Sequence, residues 1–288
     1  MKHVFIVNPT SGKGNYKVLV DWVENNLDKD SYELVYTNYV GHAKDIAESY
    51  GPDVILYAVG GDGTAHEVLN GMDQNATLSI IPTGTGNDFY KMIGDKNDLV
   101  SMIEKTVLHG ITRKVDVGKV NGNLFLNCTN IGVDADVNLR ANKIRMKYIP
   151  RQFVYLISAL REVFTIKPYD IEIKENGEFK KNPIALMSVM NGMFYGNGFK
   201  SAPEAKIDDG FLDLCLVDPV TTSRAFVLLP KYNQGKHLNL KEVTYKKIEK
   251  LEIKSEQPLV LGCDGEIFET NHLQIEVVKH YLNLRTPS

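Results

Sequence analysis

Gly60-Gly61-Asp62-Gly63-Thr64-Ala65-His66-Glu67 gathers glycines, a carboxylate and a hydroxyl into one short run. Glycines permit tight turning and let a ligand come close to the backbone. If a helix starts here, its first N–H groups and positive end face an anion, most simply a phosphate. A carboxylate in such a loop repels phosphate, so Asp62 is expected to hold a metal ion or to polarise an acceptor hydroxyl. Two further segments share this grammar. Asn8-Pro9-Thr10-Ser11-Gly12-Lys13-Gly14 follows the apolar Val4–Val7, and Pro82-Thr83-Gly84-Thr85-Gly86-Asn87-Asp88 follows Leu78–Ile81. No G-x-x-x-x-G-K-[ST] pattern occurs, and the third glycine of G-x-G-x-x-G would fall on Phe89. Singly, each run reads as an ordinary strand-to-helix turn. Three at the ends of successive strands line one sheet edge, where open α/β sheets bind ligands.

The elements that position these turns follow from periodicity. The run DVILYAV from Asp53 to Val59 reads as a buried parallel strand, and His66, Glu67, Val68, Leu69 and Met72 read as a helix. Thr64 is the expected N-cap, with Glu67 three residues on completing a capping box. The strands VFIV, YELVYT, DVILYAV and LSIIP alternate with helical patterns near 16–27, 42–49, 65–72 and 98–109. Such alternation implies a parallel sheet with covering helices. Beyond about residue 118, period two takes over in Ile171/Ile173, Leu212/Leu214/Leu216, Leu251/Ile253, Leu259/Leu261 and Leu273/Ile275/Val277. Asn176-Gly177 is a hairpin turn signal. The expected architecture is an α/β domain over 1–118, a parallel sheet with helices on both faces. A mostly antiparallel β-sandwich follows over 119–288, with its last residues free to pack back on the first domain.

A helical insertion near 139–166 interrupts the β half. Phe153, Leu156, Ile157, Leu160, Val163 and Phe164 form an apolar helical stripe. Arg140, Lys143, Arg145, Lys147, Arg151, Arg161 and Lys167 surround it, with Glu162 the single acid between 140 and 167. The stripe is assigned to the core, and the basic residues before Phe153 to contact with anionic lipid headgroups.

Composition bounds the function. The 288 residues are 43% hydrophobic with a formal charge of −3, a balance that points away from nucleic acid. Cys128, Cys215 and Cys263 match no zinc spacing and suggest a reducing compartment. Met1-Lys2-His3-Val4 runs straight into a strand and is not read as a signal peptide. No apolar run approaches the ~20 residues needed to cross a bilayer. The expectation is a cytoplasmic protein, peripheral at the inner face of the membrane.

The order and spacing of Asn8–Gly12, Gly60–Thr64 and Pro82–Asp88 resemble the diacylglycerol kinase catalytic domain family, which includes soluble bacterial lipid kinases, sphingosine kinases and ceramide kinases. Pro203–Asp213 resembles the family's P-x-A-x-x-x-D-G-x-L-D segment, and Asp264-Gly265-Glu266 its Asp-Gly-Glu, so the likeness spans essentially the whole chain. His66 departs from many bacterial members, which carry Asn there, and matches sphingosine kinases. The resemblance implies an N-terminal domain like that of NAD kinases and phosphofructokinases. It implies that Asn8, Pro9, Thr10, Ser11, Gly12, Thr37, Gly61, Asp62, Gly63, Thr64, Ala65, His66, Glu67, Thr85 and Asp88 bind ATP. Glu266 matches the family's general base, with Asp264 beside it to orient a metal or water and Asp62 as second catalytic carboxylate. Asp209, with backbone groups of Lys206 and Phe211, matches a structural magnesium site, although Asp208-Asp209-Gly210 is also good turn chemistry without metal. Asp116 matches an aspartate linking metal and nucleotide regions.

The implied activity is an ATP- and Mg2+-dependent kinase acting on a lipid hydroxyl, with diacylglycerol as default acceptor and phosphatidate as product. The implied partners are the membrane lipid substrate and an anionic membrane surface, without nucleic acid, and a homodimer is compatible. Two alternatives stay open: a soluble-substrate kinase resembling NAD kinase, and a non-catalytic lipid- or nucleotide-binding regulator of the same fold.

Overall fold

The computed structural model describes residues 1–94, 98–132, 168–196 and 198–288. The helical insertion expected near 139–166, with its basic cluster Lys143, Arg145, Lys147 and Arg151, lies outside the described residues. The chain divides into two compact units, Met1–Val117 with Val278–Ser288, and Gly118–Val277.

In the first unit, strand and helix alternate as β1 (Lys2–Val7), α1 (Tyr16–Asn26), β2 (Tyr32–Tyr36), α2 (His42–Glu48), β3 (Val54–Gly60), α3 (Asp62–Gly71), β4 (Thr77–Pro82) and α4 (Leu99–Val107). The strands pair in parallel in the order β4-β3-β1-β2. Every residue of β3 is buried, as a central parallel strand covered on both faces requires. The helices fall into two pairs, α1 with α4 and α2 with α3. On α1 the buried side chains are Leu19, Trp22 and Val23, a spacing of three and four that turns one stripe to the sheet. Strand β5 (Ile111–Val120) leaves this unit, and the long final strand β14 (Glu266–Thr286) returns to it. There Asn283, Leu284 and Arg285 pair in parallel with Thr77, Leu78 and Ser79 of β4.

The second unit is antiparallel. It contains β6 (Asn123–Phe125), β7 (Cys128–Gly132), β8 (Tyr169–Glu175), β9 (Glu178–Ile184), β10 (Leu186–Met190), β11 (Leu212–Val217), β12 (Val243–Ile248), β13 (Lys250–Cys263) and the first part of β14. The ladder runs β12-β11-β10-β7-β13-β14, with β8 and β9 joined to it through β13. The alternating apolar residues meet in one core that includes Ile171, Ile173, Leu214, Leu251, Ile253 and Leu273. Asn176 and Gly177 both have positive φ, 53° and 89°, in the tight β8–β9 turn. A helix that periodicity did not suggest, α5 (Thr222–Asn233), follows β11 and buries Ala225, Leu228 and Tyr232. The three cysteines are free and buried.

Candidate active site

The three glycine-rich turns converge in the first unit because their strands are neighbours. Asn8 N–H donates to Val59 O (2.9 Å), while Thr83 and Gly84 N–H donate to Gly60 O (3.0 and 3.1 Å). The turns touch backbone to backbone. A Cβ on Gly84 would lie 2.7 Å from Gly61 Cα, and one on Gly12, where φ is +59°, would lie 1.5 Å from Thr83 O. Both glycines are therefore fixed by contact with backbone that has no room to yield. A Cβ on Gly63 would meet nothing within 4 Å, so the start of α3 is open where a ligand would approach.

Helix α3 begins earlier than its sequence signals indicate. The expected N-cap at Thr64 is corrected to Gly61, which caps without a side-chain hydrogen bond. Both members of the expected capping box are engaged elsewhere. Thr64 Oγ1 accepts from Asn8 Nδ2 (3.2 Å), and Glu67 Oε2 accepts from Ala43 N–H of α2 (3.0 Å). Starting at Asp62, the helix directs its first N–H groups toward the meeting point of the turns.

Asp62 resolves the oddity of a carboxylate in this loop. Its Oδ2 accepts from Asp88 N–H (3.1 Å) and its Oδ1 from Phe89 N–H (3.3 Å). Amides of the third turn thus absorb part of its negative charge, and it ties that turn to the helix start. Asp88 is buried and ion-paired with Lys91. Asn8 Oδ1 accepts from the N–H and hydroxyl of Thr10 (3.0 and 2.8 Å), which folds the first turn on itself. Thr37 is buried, with its N–H on Val7 O (2.9 Å), and His66 is buried with Nε2 3.4 Å from Asn70 Nδ2. Thr85 is exposed, whereas Pro9, Ser11, Gly12 and Gly61 are half-buried and Ala65 is buried. Thr83 and Asn87 escaped sequence reasoning. Among the described residues, Thr83 Oγ1 and Asn87 Oδ1 are buried without a hydrogen-bond partner, capacity that a ligand or water can fill.

The second unit holds Glu266. Asp264 (φ 46°) and Gly265 (φ 99°) form a two-residue turn joining β13 to β14, with Cys263 paired to Glu266. Asp264 is buried, and its carboxylate accepts three backbone N–H groups: Leu126 to Oδ2 (2.6 Å), and Asn127 and Cys128 to Oδ1 (3.0 and 2.9 Å). Its own N–H donates to Cys128 O (3.0 Å). Asp264 thereby anchors the turn that presents Glu266, which is exposed at the first position of β14. The anchoring amides of Leu126–Cys128 carry no side-chain signal and were invisible in the sequence.

Asp209 is in the same unit. Its Oδ1 accepts from Phe211 N–H (3.1 Å), and its Oδ2 is paired with the Lys247 ammonium. The ammonium also lies 3.9 Å from Oδ2 of Asp213, whose Oδ1 accepts from Tyr245 OH (2.7 Å). Burial pushes the Asp213 carboxyl up, against the pull of Tyr245 and Lys247. Burial lowers the Lys247 ammonium, but Asp209 and Asp213 overcome this and hold it above its ordinary value. Lys206 is exposed. A cation on Asp209 would have to displace Lys247. Among the described residues no group of three or more His, Cys, Asp or Glu side chains is arranged to hold a metal ion.

Comparison with known proteins agrees with this layout. Residues 2–120 match the diacylglycerol kinase catalytic domain, and residues 127–286 match the YegS C-terminal NAD kinase β-sandwich-like domain. The diacylglycerol kinase of Bacillus subtilis is 28% identical over 269 residues, 91% of this chain and 88% of that protein. The diacylglycerol kinase of Staphylococcus saprophyticus is 31% identical over 274 residues, 91% of this chain and 87% of that one. A crystal structure of a Bacillus anthracis diacylglycerol kinase superposes with a TM-score of 0.72 at 24% identity, covering 98% of this chain and 96% of that one, a likeness of fold. With residues 2–120 and 127–286 each matched by a domain model and a diacylglycerol kinase 31% identical over most of both chains, the chain belongs to the diacylglycerol kinase family of lipid kinases.

Proposed function

We propose that the protein transfers the γ-phosphate of ATP, taken up as its magnesium complex, to the free hydroxyl of diacylglycerol, giving phosphatidate and ADP. The observation that carries this reading is the contact of three glycine-rich turns at the open start of α3, a cradle of backbone amides suited to phosphate. Diacylglycerol as acceptor is drawn from the names of the relatives.

Phosphoryl transfer asks a protein for positioning and charge stabilisation more than for covalent chemistry. Asn8–Gly12, Gly61–Glu67 and Thr85 supply the nucleotide contacts, with Asp62 holding the Pro82–Asp88 turn in place. Magnesium bound with the triphosphate offsets its charge. Glu266 accepts the proton of the lipid hydroxyl as that oxygen bonds to the γ-phosphorus and the bond to ADP breaks. A structural cation at Lys206, Asp209 and Phe211 belongs to the proposal on condition that Lys247 gives up the Asp209 carboxylate. The reaction is placed at the cytoplasmic face of an anionic membrane, approached peripherally. Among the described residues no helix is long and apolar enough to cross a bilayer.

The test is transfer of labelled phosphate from ATP, with magnesium or with chelator, to a mixed lipid extract and to NAD in parallel. Label is expected in phosphatidate, and only with magnesium. Label in NAD would favour the soluble-substrate alternative, and an absence of transfer to any lipid would favour a non-catalytic regulator.

A further inference from the structure

Strand β2 is the edge strand beside β1, and its C-terminal end lies at the same sheet edge as the three turns. Neighbouring strands are about 4.8 Å apart, so the end of β2 is about 10 Å from the end of β3, where α3 begins. That separation is comparable to the span from the phosphates of an extended nucleotide to its base. After β2 the chain keeps its pairing for one residue, the buried Thr37, and then emerges as Asn38-Tyr39-Val40-Gly41. Tyr39 is 59% exposed and Val40 85% exposed.

The Tyr39 ring is exposed yet held firmly. It stacks on His42 with ring centroids 4.4 Å apart and planes inclined by 19°. Its hydroxyl donates to Asp45 Oδ2 (2.9 Å), one turn further along α2. His42 is fixed in turn: ring Nδ1 accepts from Asn38 N–H (3.0 Å), and the His42 backbone N–H donates to Tyr39 O (3.2 Å). Gly41, at φ +90°, provides the backbone reversal that brings Tyr39 over His42. A ring braced on one face and at its hydroxyl has little rotamer freedom left to lose when a ligand stacks on the part still open.

We infer that Tyr39, braced by His42 and Asp45, is the stacking platform for the base of the bound nucleotide. This rests on the proposed nucleotide-binding role of the three turns. Every nucleobase has a π-face, so such a platform adds affinity without choosing between adenine and guanine. Selection of ATP must then come from groups that reach the base edge.

The experiment measures binding of ADP and of inorganic triphosphate to the full-length protein by calorimetry, without lipid. Tyr39→Ala is expected to weaken ADP binding roughly 5- to 150-fold, the usual range for loss of one base–aromatic stack. Its affinity for inorganic triphosphate, which has no base, is expected to match that of the parent. Tyr39→Phe keeps the ring and is expected to keep most of the ADP affinity. Unchanged ADP binding by Tyr39→Ala overturns the platform, as does an equal loss of triphosphate binding, which would mean a collapsed cradle. If, in a separate co-sedimentation with anionic vesicles, Tyr39→Ala loses vesicle binding while binding ADP normally, the platform is replaced by a membrane contact at Tyr39 and Val40. A parent that binds triphosphate but not ADP overturns the platform alone. A parent that binds neither overturns the nucleotide reading together with it.

Discussion

Asp264→Asn is a small change with a large expected effect. The carboxylate takes three amide hydrogen bonds, with Leu126 N only 2.6 Å from Oδ2. A carboxamide can keep its oxygen toward Asn127 and Cys128, but its NH2 then faces the Leu126 N–H donor to donor. That contact must open, leaving a buried N–H unpaired or the turn displaced. One charge-assisted hydrogen bond is worth about 1.5–3 kcal/mol, and the two survivors fall to roughly half strength as neutral bonds, so the loss is about 3–6 kcal/mol. For a domain of this size that corresponds to a fall of about 6–24 °C in Tm. Glu266 is reached through the same two-residue turn, so kcat should fall together with stability. Glu266→Gln separates the two effects. Glu266 is exposed, so its replacement should leave stability within about 0.5 kcal/mol. Loss of a positioned base should nevertheless lower kcat by about 10²–10⁴-fold, with nucleotide affinity retained. The assay pairs thermal unfolding followed by circular dichroism with single-turnover phosphorylation at saturating ATP. An Asp264→Asn protein that melts within about 2 °C of the parent would refute the anchoring argument. A Glu266→Gln protein that keeps most of its chemical rate would take the base assignment away from Glu266.

Asp62→Ala should release the Pro82–Asp88 turn from α3, weakening ADP binding and abolishing turnover without unfolding the protein; normal ADP affinity would show that Asp62 does not hold the cradle. The cation proposed at Asp209 has a competitor in Lys247, so Lys247→Met should enlarge the rise in Tm on adding magnesium. A Tm indifferent to magnesium and chelator in both proteins would remove the metal reading. Burial holds the His237 imidazole below its ordinary value, although backbone carbonyls of Ser201 and Lys231 pull it back up. The unfolded chain then binds the extra proton more readily, so this stability is complete above about pH 6.5 and is lost as the pH falls through the folded value. Between about pH 7.5 and about pH 5.5 the parent should lose more stability than His237→Asn, and equal losses would contradict the argument.

The sequence carried the strand–turn–helix grammar well because it is local. Val54–Gly60 is buried throughout, and its apolar run announces that; Asn176-Gly177 needs positive φ at both positions, and its residue types permit it. The capping box at Thr64 and Glu67 misled because both side chains are recruited by partners distant in sequence, Asn8 and Ala43. Helix α5 escaped notice because Thr222, Val227 and Pro230 are poor or interrupting helix residues, held in place by tertiary burial of Ala225, Leu228 and Tyr232. Asp264-Gly265-Glu266 draws attention in the sequence through the family resemblance. It is a hairpin, and the buried carboxylate at its first position gives the turn an anchor. That anchor joins residues 136 to 138 positions apart, a closure no local pattern encodes.

The first unit is discontinuous: its sheet is completed at β4 by Asn283–Arg285, which the ribosome makes only after all of Gly118–Val277. At about 5–20 residues per second, the nascent first unit waits on the order of ten seconds or more for its last strand. During that interval β4 offers an unpaired edge of backbone donors and acceptors, the kind of surface that recruits foreign strands. Synthesis of this chain therefore has a vulnerable window that neither half would have if each were encoded without interruption. Moving the Val278–Ser288 segment ahead of β1 would test how much of the yield in cells is lost during that wait.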